Sequence, residues 1–231
     1  MIGENVDTIR RRIEATCARC GRNLDEVTLV AVSKTFPAEA IAEACDAGVR
    51  DVGENYVQEL LQKREQLSGR SIRWHFIGHL QSNKVKYLIP WIHLIHAVDN
   101  ANIAREIDKR AAQAGSTAEV LVEVNTTGEQ SKFGIRPEAT EAFVRSLAQL
   151  AHLRIVGLMT IGPFLPDPEE SRPMFRTLRV LKEHLEHLDQ PNVAMRHLSM
   201  GMTGDFEVAI EEGATLIRIG TALFGKRTPK A

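Results

Sequence analysis

The sequence is poor in cysteine and in aromatic residues, and it has no excess of positive charge. Its three cysteines are an odd number and too few for a disulfide-stabilised scaffold. Cys17 and Cys20 form a CxxC pair, but their spacing is helical and no second pair completes a zinc site, so we predict no bound metal. The 29 basic residues are balanced by 30 acidic ones. This balance leaves no excess of positive charge to neutralise a phosphate backbone, and we expect no nucleic-acid partner.

Long apolar runs are also absent. No stretch of the sequence approaches the length of a membrane span, and the N-terminus lacks the apolar core of a signal peptide. We therefore expect a cytoplasmic protein that does not bind a membrane. His93 and His96 lie in a short, strand-like run whose spacing predicts rings on opposite faces, so we do not expect them to share a ligand.

The chain is built from a regular alternation of β-rich runs and helical segments, in which Pro37 and Pro137 mark the beginnings of helices. Eight such units with short connections predict an α/β fold over residues 1–231: one domain, a single TIM-type (β/α)8 barrel with an extra N-terminal helix at 6–18. An open doubly wound sheet is the alternative, because periodicity cannot show closure. The predicted strands are 27–32, 51–53, 72–77, 92–96, 118–124, 154–159, 194–199 and 214–219.

Two glycine-rich turns follow the last two predicted strands, at residues 199–205 and 218–221. In a barrel of this type, functional groups lie at the carboxyl ends of the strands, and the loops after strands seven and eight commonly bind phosphate. The glycines and hydroxyls of these turns are typical of an anion site. A simple helix-capping turn around Asp205 explains the first turn equally well. Two such turns on adjacent strands favour phosphate.

Lys34 directly follows the first predicted strand. Apolar walls and nearby cations at a barrel mouth favour the neutral amine, which is a nucleophile towards carbonyl compounds. Taken alone, Lys34 is better explained as a surface lysine at a strand end. Together with a phosphate site, it indicates a ligand that carries both a carbonyl and a phosphate group, such as pyridoxal phosphate or a phosphosugar.

Seven motifs then carry a resemblance to one known family, the YggS/PROSC family of pyridoxal phosphate homeostasis proteins. The resemblance extends from about residue 6 to residue 227 and is most specific at 74–84. The motifs are VSKT at 32–35, GENYVQE at 53–59, WHFIGHLQSNK at 74–84, SKFG at 131–134, GLMTI at 157–161, LSMGM at 198–202 and RIGT at 218–221.

The resemblance implies a barrel like the N-terminal domain of alanine racemase, with pyridoxal phosphate held as a Schiff base on Lys34. It places Lys132 near the mouth, and it leaves the roles of His79 and of the proline-rich loop 162–168 unassigned. Thr203 and Gly204 depart from the Ser-Asp type of pair that the family carries there. The implied cofactor contacts are Asn55 near the ring, Arg218 at the pyridine nitrogen, Ser199, Gly220 and Thr221 at the phosphate, and the backbone of Gly201 and Met202 beside it.

An arginine at the pyridine nitrogen leaves that nitrogen unprotonated and restrains carbanion chemistry. Racemases with this arrangement take a second base from an added β domain, which we do not expect here. We therefore predict a non-catalytic protein of vitamin B6 homeostasis, a monomer or weak dimer that stores or delivers pyridoxal phosphate to dependent apoenzymes. The alternative is a weak amino-acid racemase that uses Tyr56, Lys132 or water as its second base. A phosphosugar aldolase is a third hypothesis, for which Glu54 is the only evident acid.

Overall fold

A computed structural model describes residues 1–129 and 133–225. Lys132 and the terminal residues Lys226 and Arg227 lie outside these ranges. The eight strands are parallel and follow one another in sequence order around a closed barrel. The first and last strands pair in register, with Thr28 opposite Leu216 and Val30 opposite Arg218. The predicted barrel is thus confirmed and the open sheet is excluded. The strands are β1 Thr28–Val32, β2 Asp51–Glu54, β3 Arg73–Phe76, β4 Leu94–Val98, β5 Ala118–Glu123, β6 Leu153–Met159, β7 Val193–Ser199 and β8 Leu216–Ile219.

Helices surround the barrel. Asn100 caps the helix Ala101–Gln113 (α4) by accepting hydrogen bonds from the backbone N–H groups of Asn102 and Ile103, and Gly21 ends the helix Ile2–Cys20 (α1) in a left-handed conformation. None of the helices in the described ranges combines the length and the apolar character that a bilayer span requires. The helices are α1 Ile2–Cys20, α2 Ala38–Asp46, α3 Val57–Gln66, α4 Ala101–Gln113, α5 Pro137–Ser146, α6 Arg172–Leu185, α7 Phe206–Glu211 and α8 Thr221–Phe224.

The alternation of strands and helices predicts a helix between the third and fourth strands, and the structure has a 3-10 helix there, at Ser82–Tyr87. The reason is its short length before Pro90, because a proline disfavours helical conformation in the residue that precedes it. Leu88 and Val85 nevertheless bury their side chains in the core. The short segment therefore still covers the outside of the barrel between β3 and β4.

The extra N-terminal helix packs against α2, α7 and α8. Its buried face consists of Val6, Ile9, Ile13 and Cys17, which recur at helical spacing. Cys17 therefore belongs to the apolar core, and burial raises the pKa of its thiol. The three cysteines are free, and Cys17 is explained by packing.

Apolar side chains fill both the space between sheet and helices and the interior of the barrel. The interior cluster differs from the outer core in that its side chains come only from strands, as expected for a packed barrel. Its members are Val30, Leu94, Ala97, Leu121, Val156, Met159 and Leu216.

Gly157 lies in β6 where the pairing register shifts on both sides of the strand. A Cβ atom there would stand 2.0 Å from the backbone carbonyl oxygen of His197. Because this neighbour is backbone, the clash cannot be relieved by rotating a side chain. The close approach of β6 and β7 therefore depends on glycine.

We predict that Gly157→Ala lowers the free energy of unfolding by at least about 2 kcal/mol, since β6 and β7 must separate to admit the methyl group. Urea denaturation measures the change. Gly69→Ala is the matched control, because no atom lies within 4 Å of its added Cβ. Equal stabilities for the two variants would contradict the prediction.

Candidate functional site

A cavity of about 190 Å³ opens at the carboxyl ends of the strands. It brings together six of the eight predicted cofactor residues: Lys34, Asn55, Met202, Arg218, Gly220 and Thr221. The remaining two predicted residues, Ser199 and Gly201, are not part of the lining. The residues that line the cavity in addition are Val32, Ile77, Ile161, Gly162, Phe164 and Thr203.

Lys34 is presented by a tight turn after β1. The Phe36 N–H donates to the Ser33 carbonyl oxygen at 3.0 Å, and Thr35 adopts a positive φ of 72°. This conformation is strained for a β-branched residue. The Thr35 N–H donates to Glu59 Oε1 at 2.6 Å, a charge-assisted bond that holds the turn.

A buried ion pair lies beneath this turn. Lys63 Nζ donates to the Ser33 carbonyl oxygen at 2.7 Å, to Glu54 Oε1 at 2.6 Å and to Glu59 Oε1 at 2.7 Å. Ser33 Oγ donates to the same Glu54 oxygen. Burial raises the pKa of Glu54, while the hydrogen bond from Lys63 acts in the opposite direction. The cluster thus connects β1, β2 and α3 and fixes the backbone that carries the predicted nucleophile.

The far wall of the cavity is formed by the turns after β7 and β8. The Met202 N–H donates to Asp205 Oδ1 at 2.7 Å, so in this conformation it is committed within the protein. Asp205 does not cap α7 with its side chain. The turn therefore begins α7, with Asp205 at the N-cap position, but the carboxylate bonds back to Met202 instead of capping the helix.

Gly201 serves packing. Its φ is +89°, and an added Cβ would stand 2.5 Å from Ala209 Cβ. Glycine therefore lets α7 approach the end of β7. Thr203, which the sequence marked only as a departure from the family pattern, lines the cavity with Gly220 and Thr221. A hydroxyl within this glycine-rich turn is the signal that could have identified it.

Arg218 reaches the cavity from inside the barrel. One guanidinium nitrogen donates to Ser199 Oγ at 2.5 Å and another to the Thr160 carbonyl oxygen at 2.8 Å. Burial lowers the pKa of Arg218 to about 10, against the attraction of Glu123 and Asp205. The group therefore stays protonated at neutral pH and can only donate hydrogen bonds.

Ser199 is fully buried behind Arg218. Its Oγ lies 2.9 Å from His96 Nδ1 in addition to its contact with Arg218. Both partners belong to the barrel interior. Ser199 is thus placed to hold Arg218, and in this structure its hydroxyl does not line the cavity at which the phosphate contact was predicted.

The prediction for His93 and His96 is wrong. His93 precedes β4, and the pairing of β4 with β5 shifts register between Ile95 and Val98. As a result both rings contact His75, with centroid distances of 5.2 Å and 5.1 Å. Strand alternation does not hold across such an irregularity. Asp51, His75 and His93 also place three possible metal ligands within 4.8 Å of one another.

Asn55 offers the cavity an unsatisfied group. Its Oδ1 atom is buried and has no hydrogen-bond partner within the part of the chain that the structure describes. Gly78 packs directly on Asn55, since a Cβ at Gly78 would stand 2.3 Å from the Asn55 carbonyl oxygen. An orphaned acceptor that lines a cavity fits a ligand that brings a donor.

Aromatic side chains project around the mouth. Phe164 is 86% exposed, Tyr56 61% and Phe133 58%, and His79 stacks on Phe133 with a centroid distance of 4.2 Å. Tyr56 lines a neighbouring groove with His79 and Lys84. Tyr56 is thus not part of the cavity lining, and His79 belongs to the rim.

Glu123 ends β5, where it is buried. Burial and the nearby Asp99 carboxylate raise the pKa of Glu123 to about 7, although Arg218 lowers it. A glutamate in an unfolded chain has a pKa of about 4.3. The folded protein therefore binds this proton more tightly than the unfolded chain does.

We predict that Glu123→Gln becomes more stable relative to the original protein as pH rises from about 4.5 to about 7. In this window the original protein loses stability, because its unfolded chain releases the proton while the folded protein still holds it, whereas the amide does not titrate. The relative gain reaches at most about 4 kcal/mol. Urea denaturation at several pH values measures it, with the exposed Glu138→Gln as control. A pH-independent difference would contradict the prediction.

Known proteins resemble this chain over most of its length. The family model described as alanine racemase, N-terminal domain, matches residues 5–228. A pyridoxal phosphate homeostasis protein of Aquifex aeolicus is 48% identical over 97% of each chain. The structure of PipY from Synechococcus elongatus with PLP bound is 34% identical, covers 97% of this chain and 100% of its own, and has a TM-score of 0.84.

A more distant likeness bears on the fold alone. An alanine racemase of Clostridium difficile is 13% identical and has a TM-score of 0.73. The match covers 96% of this chain and 57% of the racemase chain. The barrel is therefore shared with a part of a longer protein.

Proposed function

Because the chain belongs to the pyridoxal phosphate homeostasis (YggS/PROSC) family, which has the fold of the alanine racemase N-terminal domain, we propose that it binds pyridoxal phosphate and serves its homeostasis without robust enzymatic activity. The observation that carries the proposal is that one cavity is lined by Lys34, by Arg218 and by the hydroxyl-bearing turns after β7 and β8. An amine, a cation and hydroxyl donors are the groups that an aldehyde, a pyridine nitrogen and a phosphate require. The unsatisfied Asn55 Oδ1 supports a ligand at this place.

Lys34 is proposed to attach the cofactor. Its amine would hold the aldehyde carbon of the cofactor as a Schiff base, with the aldehyde oxygen lost as water. Val32 and Ile77 supply apolar walls beside it. The buried Lys63–Glu54 pair fixes the backbone of Ser33, the residue before Lys34. The Lys34 amine is therefore proposed to be held towards the cavity.

The opposite wall is proposed to hold the phosphate. Thr203 and Thr221 provide hydroxyl donors, and Gly220 allows close approach. Of the predicted phosphate contacts, Gly220 and Thr221 are kept in this proposal. Ser199 is instead assigned to holding Arg218, since its hydroxyl lies between Arg218 and His96.

Bound pyridoxal phosphate supplies an aldehyde and a ring that withdraws electrons strongly only when its nitrogen is protonated. Arg218 remains a donor at neutral pH because its pKa is about 10. It is therefore proposed to donate to the ring nitrogen and to keep it unprotonated. This arrangement favours storage and delivery of the cofactor over carbanion chemistry.

A weak amino-acid racemase is the second candidate, and the match to the racemase domain favours it. Its predicted second base, Tyr56, lines the neighbouring groove, whereas Lys132 lies outside the described residues. An aldolase is not proposed, because Glu54 is fully buried and bonded to Lys63 and Ser33.

We further propose that dependent apoenzymes receive the cofactor. The aromatic rim of Tyr56, Phe133 and Phe164 surrounds the mouth through which a transferred cofactor leaves. The cytoplasmic location, the monomer or weak dimer, and the single domain over residues 1–231 stay predictions.

We predict that Lys34→Ala abolishes the adduct that borohydride traps between the protein and pyridoxal phosphate, since no other amine is proposed to attack the aldehyde. Intact-protein and peptide mass spectrometry measure the adduct. Lys84→Ala, which alters a lysine in the neighbouring groove, should leave it in place. An adduct that survives in Lys34→Ala and maps to Lys132 would assign the attachment to that residue.

We predict no exchange of the α-proton of L- or D-alanine above the rate given by free cofactor, because Arg218 keeps the ring a weak electron acceptor. NMR of the loaded protein in deuterated water measures the rate. Faster exchange that disappears in Lys34→Ala would support the racemase instead.

A further inference from the structure

Five buried polar side chains form a continuous hydrogen-bonded path through the barrel, which we call the axial chain. Ser199 Oγ lies 2.5 Å from an Arg218 nitrogen and 2.9 Å from His96 Nδ1. His96 Nε2 lies 2.9 Å from His75 Nδ1, and His75 Nε2 lies 3.0 Å from Asp51 Oδ1. The path begins at the cavity and ends at Asp51, the first residue of β2. It therefore joins the two ends of the barrel.

The two ends of the axial chain determine its direction. Arg218 can only donate. Although burial alone would raise it, hydrogen bonds from His75 and Arg73 hold the pKa of Asp51 below its ordinary value, so its carboxylate only accepts. His75 Nε2 therefore carries a proton and donates to Asp51. When His75 is neutral, its Nδ1 must accept.

The rest of the chain follows from that assignment. His96 donates from Nε2 to His75, and its Nδ1 accepts from the Ser199 hydroxyl, whose oxygen accepts from Arg218. Burial keeps the pKa of His96 well below its ordinary value, which agrees with a neutral ring. If the hydrogen bonds ran in the opposite direction, Arg218 and His96 would both donate to the buried Ser199 oxygen. The Ser199 hydroxyl proton would then have no acceptor among the described residues. The direction assigned above, from Arg218 to Asp51, gives every donor and every acceptor of the axial chain a partner.

The same assignment leaves little room for a metal at Asp51, His75 and His93. Arg73 bonds both oxygens of the Asp51 carboxylate, at 2.7 Å and 2.5 Å. His75 Nε2 carries a proton where a metal needs a lone pair. We therefore interpret this cluster as the end of the axial chain.

The axial chain also explains how a buried cation is stabilised. No carboxylate of the residues that the structure describes forms an ion pair with Arg218, which donates to the Ser199 hydroxyl and to the Thr160 carbonyl oxygen. Aligned hydrogen bonds polarise one another. Each acceptor along the path faces Arg218 and each donor faces Asp51, so the path stabilises the cation and the anion at its two ends.

We propose that the axial chain positions the Arg218 guanidinium for the ring nitrogen of the ligand, with His96, His75 and Asp51 as positioning residues that never touch the ligand. This proposal rests on the proposed function, since it requires a ring nitrogen at the cavity. Without His96, the Ser199 hydroxyl loses its acceptor, is free to rotate, and no longer holds its lone pair towards Arg218.

The first test uses the protein without ligand. Two-dimensional ¹H–¹⁵N NMR of the imidazole rings at neutral pH identifies which nitrogen carries the proton. We expect both His75 and His96 to be neutral and protonated at Nε2. Protonation of either ring at Nδ1 would overturn the proposal, whatever the protein binds.

The second test uses the protein loaded with pyridoxal phosphate labelled with ¹⁵N in the ring. We expect His96→Leu to shift the ring-nitrogen resonance and to weaken binding roughly tenfold, which corresponds to one charge-assisted hydrogen bond. His96→Asn should move both values back towards the original protein, because its amide oxygen can accept from Ser199. Asp51→Asn, at the far end of the axial chain, should shift the resonance in the same direction by less.

His197→Leu is the control, since it replaces another strand histidine, one that is partly buried and bonds Thr215 instead. It should leave the resonance unchanged. Weaker binding of His96→Leu with an unshifted resonance would reveal a merely structural role and would overturn the proposal. If His96→Leu does not fold, Asp51→Asn decides, and an unshifted ring-nitrogen resonance in that variant would overturn the proposal. If the original protein binds no pyridoxal phosphate, the proposed function fails. The protonation of the His75 and His96 rings then remains as the test of the hydrogen-bond direction in the axial chain.

Discussion

The pairing of β1 with β8 is the contact on which the rest of the structure depends. It places Val30 opposite Arg218 and so brings the start and the end of the chain to one edge of the mouth. Lys34, just beyond β1, then lines the same cavity as Arg218, Gly220 and Thr221. Without this closure, the amine and the cation would belong to opposite edges of an open sheet. The geometry of the site is therefore a property of the whole barrel.

Closure also creates an interior in which polar groups are expensive to bury. The barrel offsets the free-energy cost of burying polar groups in two places, and in two different ways. Beneath Lys34, opposite charges meet directly, as Lys63 contacts both Glu54 and Glu59. Along the barrel axis, Arg218 and Asp51 are instead separated by neutral groups. A buried ion pair gives up much of its attraction to desolvation, and the gain in both places is a defined position for a side chain at the cavity.

Much of this could be predicted from the sequence, because the signals were local. β-branched runs indicate strands, and the rule that parallel strands converge at their carboxyl ends was enough to select Lys34 and Arg218. The orientation of Ser199 could not be predicted, since it depends on His96, which lies 103 residues away in the chain. The His93–His75 contact depends on an irregularity in β4, which periodicity does not reveal. The Lys63 cluster was missed because nothing in the spacing of the three residues distinguishes it from a solvated helix face.

The same closure has a consequence for synthesis. Lys34 leaves the ribosome early, but β8 and the turn that carries Gly220 and Thr221 are among the last described residues of the chain. The two halves of the cavity cannot meet until β8 has been made and has paired with β1. A nascent chain that lacks β8 therefore cannot form the complete cavity.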